Sequence, residues 1–228
     1  MNFFIKIFEL FTTEKYMESI WEGLKLTLSI SVLAALLGLV LGVMVALVGM
    51  AKNSWYMRVP KLLCKLYITI IRGTPMALQL FIMAYVIFAI RGFPLVITAT
   101  IAFGVNSGAY VAENIRAGIL SVDIGQTEAG RALGLSGGTT MLRIVIPQAI
   151  KNVLPAIGNE FISLLKETSV IGFLGVIDLT KAAQRVISRT ADPYFPYIAI
   201  ALAYLAMVCI LNYFVKLLEK RLAKSDRT

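Results

Sequence analysis

Residues Glu128 to Ile150 read EAGRALGLSGGTTMLRIVIPQAI, and they interrupt an otherwise oily chain with helix formers, then glycines, then an apolar run opening on Pro147. Asp123 and Glu128 sit early in a helix-compatible segment, where acidic side chains complement the positive end of the helix dipole. Gly134 follows as a helix stop, because glycine accepts the left-handed conformation that ends many helices. Ser136 to Thr140 supply turn residues and a fresh N-cap, and Pro147 suits the first turn of the next helix. The pattern predicts a short helix, a glycine hinge and a return between two membrane spans. A solvated loop is the plainer alternative.

The setting follows from composition. Among 228 residues, 58% are hydrophobic and 15% charged, and the mean hydropathy is +0.80, far from soluble globular usage. The chain is an integral membrane protein with one domain over 1–228, too short to carry a large soluble domain as well. It has no histidine, so the commonest metal ligand and the commonest general base are both missing. No catalytic residue, metal or cofactor is expected. Cys64 and Cys209 lie in apolar stretches and read as small buried hydrophobes.

About 20 apolar residues cross a bilayer as a helix. Charge-poor runs predict spans over Leu26–Ala51, Leu62–Ile90, Gly92–Ala112, Pro147–Leu165 and Pro193–Val215, with Arg72-Gly73-Thr74-Pro75 inside the second. The expected fold is an all-α bundle of about five spans, or six if that tetrapeptide separates two short ones. With the C-terminus inside, cytoplasmic segments hold thirteen Lys/Arg residues against eight outside, which favours N-out, C-in. The net charge of +9 then reflects basic flanks at the cytoplasmic leaflet and needs no nucleic acid. Over about 1–22, Phe3, Phe4, Ile7, Phe8 and Phe11 fit one helical face, an amphipathic helix lying on the outer surface.

Placed on this topology, residues 121–146 form a cytoplasmic loop. Glu128-Ala129-Gly130, then Gly134, then Ile144, Ile146 and Pro147 resemble the E-A-A-x3-G-x9-I-x-L-P signature of ABC importer permeases, with Gly130 in place of alanine and Ile146 in place of leucine. The segments IRGTPMALQLF (71–81), NSGAYVAENIRAGI (106–119) and PQAIKNVLPAIGNEFISLLKETS (147–169) look like the polar amino-acid subfamily, and the resemblance covers about 18–222. It implies a type I importer permease whose cytoplasmic helix, with Glu128, Ala129, Gly130, Arg131 and Gly134, docks on a dimer of ATPase subunits. It also implies a second permease, identical or homologous, and an extracytoplasmic amino-acid-binding protein that delivers the solute.

Two other functions use similar residues. Gly134-Leu135-Ser136-Gly137 matches the G-x-S-G pattern of intramembrane serine proteases, but that chemistry needs a base for its serine and no histidine is present. An ion-coupled carrier or channel would also use intramembrane Glu and Arg, and the signature spacing argues against it. No P-loop occurs, so ATP must be hydrolysed elsewhere. Candidate solute contacts are the polar groups that a membrane makes costly: Glu160, Arg72, Asn106 and Glu113. Interhelical pairing that fixes the packing is the competing role for each.

Overall fold

A computed structural model describes residues 13–52 and 54–224, and the regular structure among them is all helical. The long α1 (Glu14–Met50) is followed by a 3-10 turn (Trp55–Met57) and α2 (Arg58–Arg72). Next come α3 (Met76–Ile82), a π turn (Met83–Ile87) and α4 (Leu95–Leu120). Short α5 (Ile124–Ala132) and α6 (Gly137–Thr140) lead through a second π turn (Met141–Val145) into α7 (Ile146–Glu167). A 3-10 stretch (Thr168–Leu174), α8 (Leu179–Thr190) and α9 (Tyr194–Lys224) complete the described chain. Residues 1–12 of the expected surface helix lie outside the described residues. From Glu14 onward that segment is the start of α1, not a separate helix.

The bundle is organised around α4, which lies parallel to α1. A Cβ on Gly38 would come within 2.8 Å of Ser107 Cβ, and one on Gly42 within 2.5 Å of Val111 Cγ1. In the other direction, a Cβ on Gly104 would come within 2.5 Å of Leu37 Cδ2 and one on Gly108 within 3.0 Å of Leu41 Cβ. Each helix thus presents a Gly-x-x-x-Gly pair to its neighbour. Small residues at this spacing let two backbones approach, and dispersion replaces the missing hydrophobic drive inside a bilayer.

Two ends of the bundle can be distinguished by what packs there. At the first end Ile30 and Ala34 of α1 meet Leu80, Phe103, Leu164 and Ile171, and Ile20 meets Leu179 and Ile200. At the second end Met50, Ile119, Ile146 and Val153 come together. Between these ends the described chain runs along α1, α2 with α3, α4, α7 and α9. Three helices are long and apolar enough to cross a membrane by composition alone, Tyr16–Met50, Leu95–Leu120 and Tyr194–Leu222. The pair Trp55–Arg72 and Met76–Ile87, bent by 110°, makes a fourth candidate. The remaining helix of these, α7, has the length but carries Lys151, Asn152, Asn159 and Glu160.

The 110° bend has a local cause. Pro75 lacks an N–H and pushes the residue before it out of the helical region, so α2 ends at Arg72. The carbonyls left open there are taken up by side chains. Thr74 Oγ1 donates to Ile70 O at 2.9 Å, and Gln79 Nε2 donates to Ile71 O at 2.7 Å and Thr74 O at 3.0 Å. With its polar groups satisfied, the break is tolerated at membrane depth. Arg72-Gly73-Thr74-Pro75 thus marks the bend between Trp55–Arg72 and Met76–Ile87, a pair apolar enough together to form one broken span.

Candidate functional site

The knob at the second end follows the local pattern of its sequence. Asp123 caps α5, its Oδ1 accepting from Gly125 N at 2.7 Å. Gly134 has φ +81°, Leu135 N–H donates to Gly130 O at 3.1 Å, and Gly134 N–H donates to Arg131 O at 3.0 Å. These paired bonds and the left-handed glycine make a Schellman C-cap. Arg131 Nη1 adds a bond to Leu135 O at 3.1 Å. Ser136 then caps α6, accepting from Thr139 N at 3.2 Å.

Glu128, Ala129, Arg131 and Gly134 are exposed, whereas Gly130 is buried. A Cβ on Gly130 would sit 2.8 Å from Thr140 Cγ2 and 2.9 Å from Ile144 Cδ1. Glycine at this position serves the contact between α5 and its own return segment. The sequence pattern did not single out Ile124, Leu133 and Leu142, which are 74%, 81% and 66% exposed on the knob. Large apolar residues in a polar, capped segment were the signal available, since exposed apolar patches mark interaction surfaces.

Nearer the middle of the bundle, one face of α4 carries Asn106, Ser107, Tyr110 and Glu113, one to two turns apart. Glu113 is gripped from two sides. Arg116 Nε donates to Glu113 Oε2 at 3.0 Å, and Arg72 Nη1 lies 3.8 Å from Glu113 Oε1. The Arg72 guanidinium also lies 5.3 Å from the Tyr110 ring centroid, within cation–π range. Glu160 of α7 is partly buried and lies within electrostatic range of Ser107 on α4 and of Arg72 and Glu167. Asn106 is only 3% exposed, and its Nδ2 donates to Gln79 Oε1 at 2.9 Å, tying α4 to the break. The four residues singled out from sequence thus belong to one polar region. Gln79 belongs to it as an amide expected to bond across helices, and Arg116, Ser107 and Tyr110 complete it without having been foreseen as members. Of the cysteines, Cys64 is partly buried and Cys209 is exposed on α9, and both are free.

The described residues form an all-helical membrane bundle with a sharply bent helix pair and a capped two-helix knob at one end, the architecture of a polytopic membrane protein. Residues 26–224 match the family of binding-protein-dependent transport system inner membrane components, and the chain belongs to that family. It is 41% identical over 206 residues to a protein of Rickettsia bellii named for a glutamine transport system permease, covering 90% of this chain and 93% of that one. It is 37% identical to the arginine transport system permease protein ArtQ of Bacillus subtilis, covering 91% and 94%, and 36% identical to the L-cystine transport system permease protein TcyL of the same organism, covering 97% and 94%. A solved amino acid ABC transporter with histidines superposes with a TM-score of 0.86 at 38% identity, covering 97% of this chain and 99% of that chain. The methionine ABC transporter MetNI shares the fold, with a TM-score of 0.75 at 17% identity. The protein is an inner-membrane ABC permease, a transport subunit that works with separate ATPase subunits and a binding protein. The carrier and protease alternatives are thereby set aside.

Proposed function

We propose that this permease carries a polar α-amino acid inward, with α5 and its hinge as the ATPase-coupling element and the polar region shared by α2, α4 and α7 as the solute site. The observation that carries the reading is the placement of Glu160 and Arg72 as charged neighbours beside Ser107 and Glu113. An α-amino acid bears an ammonium and a carboxylate a few bonds apart, and a carboxylate and a guanidinium complement them. Glu113 and Asn106 shape the same site, Glu113 by holding Arg72 and Asn106 by fixing Gln79. Relatives named for glutamine, arginine and cystine share the α-amino acid and differ in the side chain.

In this reading Glu128, Ala129, Gly130, Arg131 and Gly134 belong to a knob that docks in a groove on each of two ATPase subunits. A second permease, identical or homologous, completes the path. The N-terminus lies outside and the C-terminus in the cytoplasm. Closure of the ATPases draws the knobs together and opens the path outward, which is alternating access.

The test is reconstitution with the ATPase and binding protein, followed by a panel of amino acids scored for stimulated ATP hydrolysis and uptake. Stimulation by polar amino acids supports the reading, and stimulation only by non-amino-acid solutes overturns it. Cysteine labelling at position 136 in a background lacking Cys64 and Cys209 checks orientation. Reaction there from outside would overturn the topology and the coupling assignment together.

A further inference from the structure

At the knob end of the bundle two clefts meet on the last turns of α1. One, of 390 Å³, opens between α1, α2 and α4 and combines an apolar floor, including Val45 and Ile68, with Lys61, Lys65 and Arg116. The other, of 350 Å³, runs between α1, α4 and α7 and is lined entirely by apolar residues, among them Val43, Ile119 and Val153. Ala46 and Met50 line both. Three cations border the first cleft, and the one carboxylate among the described residues that line it, Glu113, is shared between Arg116 and Arg72. Among those lining residues cations outnumber carboxylates. Lys61 Nζ donates to Ala51 O at 2.5 Å, which anchors one cation at the mouth where α1 ends.

A small soluble anion would use the cations alone, and an uncharged lipid would use the apolar floor alone. An anionic phospholipid uses both. We propose that the first cleft holds one anionic phospholipid of the leaflet at the knob end, its phosphate against Lys61, Lys65 and Arg116 and an acyl chain along its own apolar floor of Val45, Ala46, Met50 and Ile68. Basic pockets between membrane helices suit such headgroups, because the phosphate meets several cations while the chains stay in apolar surroundings. The inference needs only that the chain spans a membrane and stands apart from the identity of the solute. If the knob end is cytoplasmic, the lipid belongs to the inner leaflet.

The test is native mass spectrometry of the complete permease–ATPase complex taken from nanodiscs of phosphatidylglycerol or of phosphatidylcholine. Bound phosphatidylglycerol should survive detergent exchange, and phosphatidylcholine should not. Each lysine near an anionic phosphate contributes about a fivefold factor, so Lys61→Gln with Lys65→Gln should weaken retention roughly 30-fold. Gly49 gives a variant that leaves the charges in place. It lines the cationic cleft, and a Cβ there meets nothing within 4 Å, so Gly49→Leu fills the space without a clash and should expel the lipid from an intact complex. Equal retention of both lipids overturns the proposal, as does full retention in Gly49→Leu. Displacement of phosphatidylglycerol by inorganic phosphate would mark a small-anion site, and loss of permease pairing with unchanged lipid would mark an interface between two copies. Either result sinks the lipid assignment.

Discussion

The knob and the crevice are both polar interruptions of an apolar chain, yet they are built in opposite ways. Every bond that shapes the knob's three caps spans five residues or fewer: Asp123 to Gly125, Gly130 to Leu135, Ser136 to Thr139. The polar crevice region gathers Arg72, Glu113 and Glu160 from α2, α4 and α7, with α4 held close against α1 through glycines. A part built from local rules keeps its shape as a unit and can move as one. A part assembled from distant segments changes whenever the helices shift, which suits a site that must open to each side in turn.

If the crevice depends on close helix packing, the largest effect should come from a glycine far from any charge. Gly42→Leu would force a side chain where a Cβ already meets Val111 Cγ1 at 2.5 Å and the backbone N of Ala112 at 3.0 Å. Backbone cannot retreat as a flexible side chain can, so destabilisation of about 3 kcal/mol is expected, the upper end for overpacking. Thermal unfolding in detergent should show a large drop for Gly42→Leu and little change for Gly49→Leu, whose Cβ is unobstructed. Equal melting of the two variants would break the claim that α1 and α4 are held by this contact.

The next effect isolates chemistry from packing. Glu160→Gln keeps the size and the hydrogen-bonding capacity but removes the charge. A charged hydrogen bond to a solute ammonium contributes about 1.5–3 kcal/mol. The solute concentration for half-maximal ATPase stimulation should therefore rise by on the order of tenfold or more, with complex yield and melting unchanged. Lost yield with normal stimulation would show instead that Glu160 fixes the packing.

These first two tests also mark where the sequence was readable. The knob's caps, its glycine stop and its return could be read because each determinant lies within a few residues of what it controls. Arg72, Glu113 and Glu160 stood out as charges in apolar runs, but their partners did not, because Arg116, Ser107 and Tyr110 join them only through the helix register. The Gly38/Gly42 and Gly104/Gly108 pairs were a usable signal at a known spacing and went unread. The packing of Gly130 on Thr140 was hidden for the same reason: Thr140 lies across the hinge, and no local rule connects them.

A smaller effect is expected in the knob itself. A β-branched residue at Gly134 must adopt φ +81° at a cost of roughly 1–2 kcal/mol or release the cap. Gly134→Val should therefore lower coupled uptake about tenfold, the factor that 1.4 kcal/mol represents, while membrane insertion and crevice-dependent stability persist. Asparagine tolerates the left-handed region, so Gly134→Asn should recover most of the activity. If valine transports at the full rate, the shape of the hinge is irrelevant to coupling.

Asp178 is where the two kinds of construction meet, and it gives the smallest and most diagnostic change. It lies outside the long apolar helices, caps α8 by accepting from Lys181 N at 2.8 Å and Thr180 N at 3.2 Å, and is fully buried. The cap is local. The burial is not, because α8 is pinned to α1 by Leu179 N–H donating to Thr27 Oγ1 at 3.1 Å. Burial pushes the Asp178 carboxyl above the usual carboxylate range, and the two backbone N–H groups pull against it. An acid whose folded pKa is raised stabilises the fold at low pH, and that contribution fades as pH rises through the unfolded and then the folded value. Melting near pH 4, at the ordinary aspartate value, should therefore exceed melting at pH 7.5 by more in the wild type than in Asp178→Asn. Asparagine caps as well as aspartate, so the variant should stay within about 1 kcal/mol of wild type at neutral pH and show a flatter pH profile. Asp178→Ala should lose the cap at every pH, by about 1 kcal/mol. An unchanged pH profile in Asp178→Asn would mean that the carboxylate is solvated in the assembled transporter, and that α8 lifts away from α1 there.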